Sequence, residues 1–185
     1  YLRGLIAEDE TITKLEVLGY EAKDCANIIK LFYPIPNYTD IIRMAVREAF
    51  TPDIAAKFGQ YEDYPTAVDQ YLTMQGISSE WAQRYWAAHW ELPSPQMGFE
   101  MLHRGIINYD DLTMLLRALD VMPYWRDKLI NLAYQPYNRI DVRRMYSSGV
   151  LTADEVMRAY LDLGYDDTKA GNLTKFTLAL AEQQK

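Results

Sequence analysis

Apolar residues recur at helical spacing along most of the chain, and glycine and proline interrupt them at regular intervals. Across residues 145–176, MYSSGVLTADEVMRAYLDLGYDDTKAGNLTKF, this pattern predicts a helix end, a turn at Gly149, an amphipathic helix, a turn at Gly164 and a further helix. Moved back by 44 positions, the same pattern falls on residues 101–132. Gly149 then meets Gly105, Asp154 meets Asp110, Leu163 meets Leu119 and Leu173 meets Leu129. A third copy opens the chain, with Gly4 in the place of Gly149 and Gly19-Tyr20 in the place of Gly164-Tyr165. Recurrence at this period is the signature of stacked helical units, each too small to bury its apolar face alone.

The pattern predicts an all-α array of four related units of about 44 residues, at 1–33, 34–92, 93–134 and 135–185. Each holds three short helices, one after a proline joint and one after each of two turns, and the first unit is truncated. In the first unit, helices are expected over about 8–18 and 21–32, with Gly19 in the left-handed conformation that ends a helix. In the second, Thr39-Asp40 is read as the cap of a helix over 41–50 that follows Pro34-Ile-Pro36. Gly19 and Gly76 lie 57 apart, whereas Gly76 and Gly164 lie 88 apart, twice 44. The second unit therefore carries 13 additional residues, assigned to KFGQYEDYPT at 57–66 and expected to form a surface loop. Ser78 is placed as the cap of an aromatic-rich helix, Pro123 at the start of another, and Thr152 with Glu155 as a capping box. Asp120 stands where the other units have the second turn glycine, a position at which aspartate is tolerated at some cost. The last helix is expected over about 166–182, followed by fraying in the EQQK tail.

Composition narrows the function classes. A hydrophobic content of 49% excludes a disordered acidic tail even at a net charge of −7. The acidic balance argues against nucleic acid as a partner; Arg139, Arg143 and Arg144 form only a local basic cluster. No apolar run approaches the roughly 20 residues that a membrane-spanning helix needs, and no membrane partner is expected. Cys25 is alone and lies among apolar positions, which predicts a buried small hydrophobe. The chain opens at Tyr1 in the middle of a unit, so a longer parent is expected.

The sequence supplies no catalytic, cofactor-binding or metal-ligating set. Glu100-x-x-His103 has the spacing used in di-metal bundle sites, but the corresponding residues 44 positions on are Arg144 and Ser147. The acids at the starts of helices, Asp9, Asp110 and Asp154 among them, complement helix dipoles and lack the order of a calcium loop. What exceeds the ordinary is aromatic content: 15 Tyr and four Trp. Trp81, Trp86 and Trp125 lie within helix patterns and are expected in the core. Tyr61, Tyr64, Tyr124 and Tyr137 fall in the insertion or at turns, and are the candidate partner contacts.

In the texture of DIIRMAVREAF, WAQRYWAAHWELPSPQMGFEMLHRGII, DVMPYWRDKL and RIDVRRMYSSGVLTADEVMRAYLDLGY, the chain resembles helical structural proteins encoded in tailed-phage and environmental viral genomes. The resemblance spans about residues 35–176 and carries no functional residue across. It implies a non-enzymatic virion structural or assembly domain without cofactor. Its partners would be other virion proteins or copies of itself, and its location the virion, assembled in the host cytoplasm. The alternative is a cytoplasmic helical-repeat module that grips a cellular protein through a concave face or the insertion.

Overall fold

The computed structural model describes residues 1–183, which form twelve α-helices and one short 3-10 turn, with no strand among the described residues. The all-α expectation is met. The chain divides into two compact units, Tyr1–Asp127 and Lys128–Lys185.

The first unit opens with α1 (Glu8–Val17) packed on α2 (Ala22–Leu31). Cys25 is fully buried between them with Ile29, as the apolar spacing predicts. α3 (Tyr38–Val46) then packs on α6 (Ser79–His89), burying Met44, Ala49, Ala87 and Ala88 with Trp81 and Tyr85 against them. Small residues at these positions let the two helices approach closely. Between them lie α4 (Pro52–Lys57), the 3-10 turn Thr66–Val68 and α5 (Asp69–Met74). α7 (Pro95–His103) and α8 (Tyr109–Ala118) form the next pair. A Cβ at Gly98 would lie 2.8 Å from side-chain atoms of both Leu112 and Leu115, so the close contact of α7 and α8 depends on its absence.

Expectations for two segments are corrected. The helix placed over 41–50 starts earlier and stops at Val46. Its cap is Asn37, whose side-chain oxygen accepts from the Asp40 amide at 3.0 Å, and Thr39-Asp40 lies inside the helix. Trp125, on α9 (Pro123–Leu132), is 50% exposed, because Ile130 is the residue that this helix buries. Trp81 and Trp86 are half-buried, and Ser78, Pro123 and the Thr152–Glu155 capping box stand where expected.

The second unit comprises the end of α9 with α10 (Arg139–Ser147), α11 (Ala153–Asp162) and α12 (Asp167–Glu182). Its core joins Val142, Val156, Ala159, Tyr160 and Ala170. The Tyr160 and Thr177 hydroxyls bond each other at 2.7 Å, which satisfies two polar groups that the core would otherwise leave bare. The expected fraying of the EQQK tail concerns residues 182–185, of which 184 and 185 lie outside the described residues.

Left-handed residues close most of these helices. At the first turn they are Gly4, Glu48, Gly105 and Gly149, with φ of 70, 64, 67 and 75°. At the second they are Gly19, Gly76, Asp120 and Gly164, with φ of 95, 84, 63 and 88°. Gly76 carries a second constraint, since a Cβ there would stand 2.7 Å from the Phe32 carbonyl oxygen. Gly76→Ala is therefore expected to cost about 2 kcal/mol or more. Asp120→Gly, which relieves a side chain held at positive φ, should leave stability within about 0.5 kcal/mol or raise it. Chemical denaturation of the two variants measures both.

Acid sensitivity of the second unit follows from its caps. The Glu155 carboxylate accepts the Thr152 amide at 2.8 Å and its hydroxyl at 2.9 Å, which holds Glu155 below the usual carboxylate range. Lys169, by its side chain and then its amide, does the same to Asp166. A depressed folded pKa stabilises above the unfolded value, about 4, and that contribution is lost as pH falls through the folded value. Glu155→Gln should accordingly lower the melting temperature at pH 7, and the gap from the parent should close as pH falls below about 4. Thermal melts across that range read the effect.

Candidate functional site

The backbone between Arg47 and Asp63 creates the most distinctive site of the first unit. α3 stops at Val46, and Glu48 turns the chain in a left-handed conformation that a residue other than glycine rarely adopts. Glu48 is only 3% exposed. Its Oε2 accepts the Thr51 hydroxyl at 2.8 Å, and the Arg117 Nε from α8 stands 2.5 Å from Oε1. That second approach lies off the hydrogen-bonding direction, so charge alone holds it. A parallel tie joins Lys57 at the end of α4 to Asp111 on α8, at 2.5 Å. The Lys57 ammonium, followed by the Asn108 amide, keeps Asp111 below the usual carboxylate range.

The insertion then returns along α6 and is fixed there through its own main chain. Two indoles of α6 and its end donate to insertion carbonyls, Trp90 to Gln60 at 2.8 Å and Trp86 to Glu62 at 2.9 Å. The Gln60 amide nitrogen donates to the Arg47 carbonyl at 2.6 Å, and the Tyr61 hydroxyl to the Ala49 carbonyl at 2.8 Å. Tyr64 meets Trp86 edge to face with centroids 5.8 Å apart, and its hydroxyl donates to Asp69. Burial, and then that carboxylate, pushes the Tyr64 phenol up to about 12, so it remains a donor. His89 lies between the two indoles, 4.2 Å from Trp86 and 4.6 Å from Trp90 by centroid.

Beneath this loop a cleft of about 480 Å³ opens between α4, the end of α6 and α8. Its walls are mainly apolar: Ile54, Phe58, Trp90, Met101, Met114 and Leu115. Arg47, Glu48 and Gln60 supply polar atoms at its lining. Burial, with Arg43 nearby, pulls the Arg47 guanidinium below its ordinary range. The cleft has the size and the mixture of apolar wall and sparse polar groups that ligand sites share.

The four tyrosines of the sequence reading part company. Tyr61 and Tyr64 are wired into the loop, the first 39% exposed and the second half-buried. Tyr124, 65% exposed, stacks edge-on against Trp125 at 4.8 Å. Tyr137, 53% exposed, precedes α10 in the second unit. Glu100 pairs with Arg104 at 3.5 Å, one turn along α7, and His103 is exposed on the same helix. No group of three or more His, Cys, Asp or Glu able to hold a metal ion occurs among the described residues. Among them, likewise, no helix is long and apolar enough to cross a membrane.

The sequence reading missed Arg47, Glu48 and Gln60. A signal for Glu48 was present: it lies 44 residues after Gly4 and 57 before Gly105, the register of the first turn. No protein family, curated protein or solved structure matches the chain.

Because the indole of Trp90 holds a loop carbonyl, Trp90→Phe keeps most of the apolar contact and removes the donor. The loss should be about 1 kcal/mol of stability. Limited proteolysis should cut the variant faster within residues 57–66 while leaving helical content unchanged.

Proposed function

We propose that the chain is a non-enzymatic protein-interaction domain, a structural or assembly component of a phage virion that works by contact with copies of itself or with other virion proteins. The observation that supports contact as its mode of action is a set of large apolar side chains exposed at recurring positions. One follows each first turn: Leu5, Ile106 and Val150, at 83, 65 and 62% exposure. The other comes twelve residues after each second turn: Leu31, Leu132 and Phe176, at 79, 79 and 55%. In residues 34–92 the same registers hold Ala49 and Ala88, both buried in one cluster with Trp81 and Tyr85 against it. The chain thus uses alanine where a neighbour covers the position and a larger residue where none does. Surfaces of this kind favour protein partners. The virion assignment draws on the sequence resemblance alone.

Two measurements test the proposal. Sedimentation of the purified chain should show concentration-dependent association, weakened when Leu31, Leu132 and Phe176 are replaced together by Ser with helical content retained. Cross-linking in intact particles should join the chain to itself or to other virion proteins. A chain that stays monomeric and is absent from particles overturns the reading. Recovery of a cellular protein in its place would support the cytoplasmic binding module.

A further inference from the structure

Charge is divided unevenly between the two units. Of the 26 acidic and 19 basic residues, the first unit holds 19 and 11, a net charge of −8. The second holds 7 and 8, a net charge of +1. Its free positive charge is concentrated on α10. Arg139 and Arg144 are exposed there and Arg143 is half-buried, and none of the three forms an ion pair with a carboxylate among the described residues. Arg158 and Lys169, by contrast, are paired with Asp162 and Asp166. The one acid of α10, Asp141, is engaged by the Asn138 carboxamide. Beside the arginines lies an open hollow of about 450 Å³, lined by Ile140, Arg143, Arg144, Ser147, Ser148 and, from α12, Leu180. Ile140 is itself exposed.

The first unit carries the complement at the joint of α1 and α2. Residues 16–24 hold three exposed carboxylates, Glu16, Glu21 and Asp24, against one base, Lys23. None of the three carboxylates has an ion-pair partner among the described residues. Burial, then Glu16 and Asp24, push the Cys25 thiol up, so both acids lie near the same buried atom. Within this joint Val17, Leu18 and Tyr20 stand out into solvent, Leu18 at 75% exposure. Leu18 and Tyr20 flank the left-handed Gly19. The residues that flank Asp120 and Gly164 in the same way, Leu119 with Val121 and Leu163 with Tyr165, are all half-buried. Leu163 and Tyr165 lie against the core that α10 helps to form. Of these three joints, that of α1 and α2 alone is bare.

We propose that the α1–α2 joint of one copy docks on the α10 face of a second copy. Glu16, Glu21 and Asp24 meet Arg139, Arg143 and Arg144, while Leu18 and Tyr20 cover Ile140 and Leu180. Charges matched in this way set the register of an interface and speed its formation, and arginine around an apolar centre is ordinary interface anatomy. A nucleic acid would meet the arginines but leave the apolar hollow bare, and the net charge of −8 on the first unit repels it. Two different surfaces of one chain meet here, so the contact is heterologous, the kind that builds rings or filaments. The docking rests on the self-contact reading above and names the surfaces that would carry it.

Sedimentation of the full chain reads the docking, and the association should weaken as salt rises. Glu16→Lys with Glu21→Lys, and separately Arg139→Glu with Arg144→Glu, should each weaken it about tenfold or more with helical content retained. Mixed in equal amounts, the two variants should associate as tightly as the parent, because each then offers the charge that the other needs. A misfolded variant cannot give that recovery. Leu18→Ser, which changes no charge, should weaken the association as well. A mixture no tighter than either variant alone, or variants that associate like the parent, would overturn the docking. So would binding of a DNA duplex by the parent that is lost with Arg139→Glu and Arg144→Glu. If the mixture fails while the chain self-associates, this docking falls and the interaction reading stands. If the mixture recovers but the chain is absent from particles, the docking stands and the virion reading falls.

Discussion

The pairs α1 with α2, α5 with α6, α7 with α8, α10 with α11 and α11 with α12 each depend on a residue that leaves the right-handed conformation at the helix end. Helices of about ten residues are marginal in isolation, because the nucleation cost is spread over few hydrogen bonds. They persist here because a left-handed residue turns the chain sharply enough for the next helix to pack against the last. Six of the eight residues at the two sets of turns are glycine, for which that conformation carries no side-chain penalty. Glu48 and Asp120 accept the strain, and they differ in what offsets it. Asp120 is exposed and has a short side chain that suits the turn. Glu48 is buried, and its carboxylate gains Thr51 and Arg117 as partners.

That exchange sets the turn at Glu48 apart from the glycine turns, which have no side chain to make a tie. A glycine at position 48 would have kept the turn and lost the tie to α8. With glutamate, the turn that follows α3 is joined by charge to Arg117 on α8. Glu48 lines the cleft together with Arg47 and with Gln60 of the insertion. The buried carboxylate is therefore better regarded as an organiser of position than as a source of net stability, since removing its charge from water costs about as much as the pairing returns.

The local parts of the fold were legible in the sequence for a physical reason. A capping box such as Thr152–Glu155 or a turn glycine such as Gly164 acts within four residues, so its signal stands in the sequence itself. The Asn37 cap was legible in principle too, since Asn-x-x-Asp recurs at Asn108–Asp111 and Asn138–Asp141 with the same side-chain-to-amide bond. The exposure of Trp125 was not, because helical periodicity shows that a helix has an apolar face without showing which residues of it find a neighbour. The cleft was less legible still. Arg47, Gln60 and Met114 are distant in sequence, and nothing local marks them as lining one cleft.

The insertion is held at Gln60 and Glu62 by indoles that grip main-chain oxygens, and its Tyr61 in turn grips the main chain of Ala49. Main-chain oxygens are the same in every amino acid. A residue such as Glu62 can thus change identity without altering the bond its carbonyl makes to Trp86. Shape and sequence are uncoupled there, as in the hypervariable loops of a binding protein, where the frame stays constant while the displayed side chains drift. A lineage carrying this frame could change the side chains that the loop displays one at a time, and keep its fold at each step.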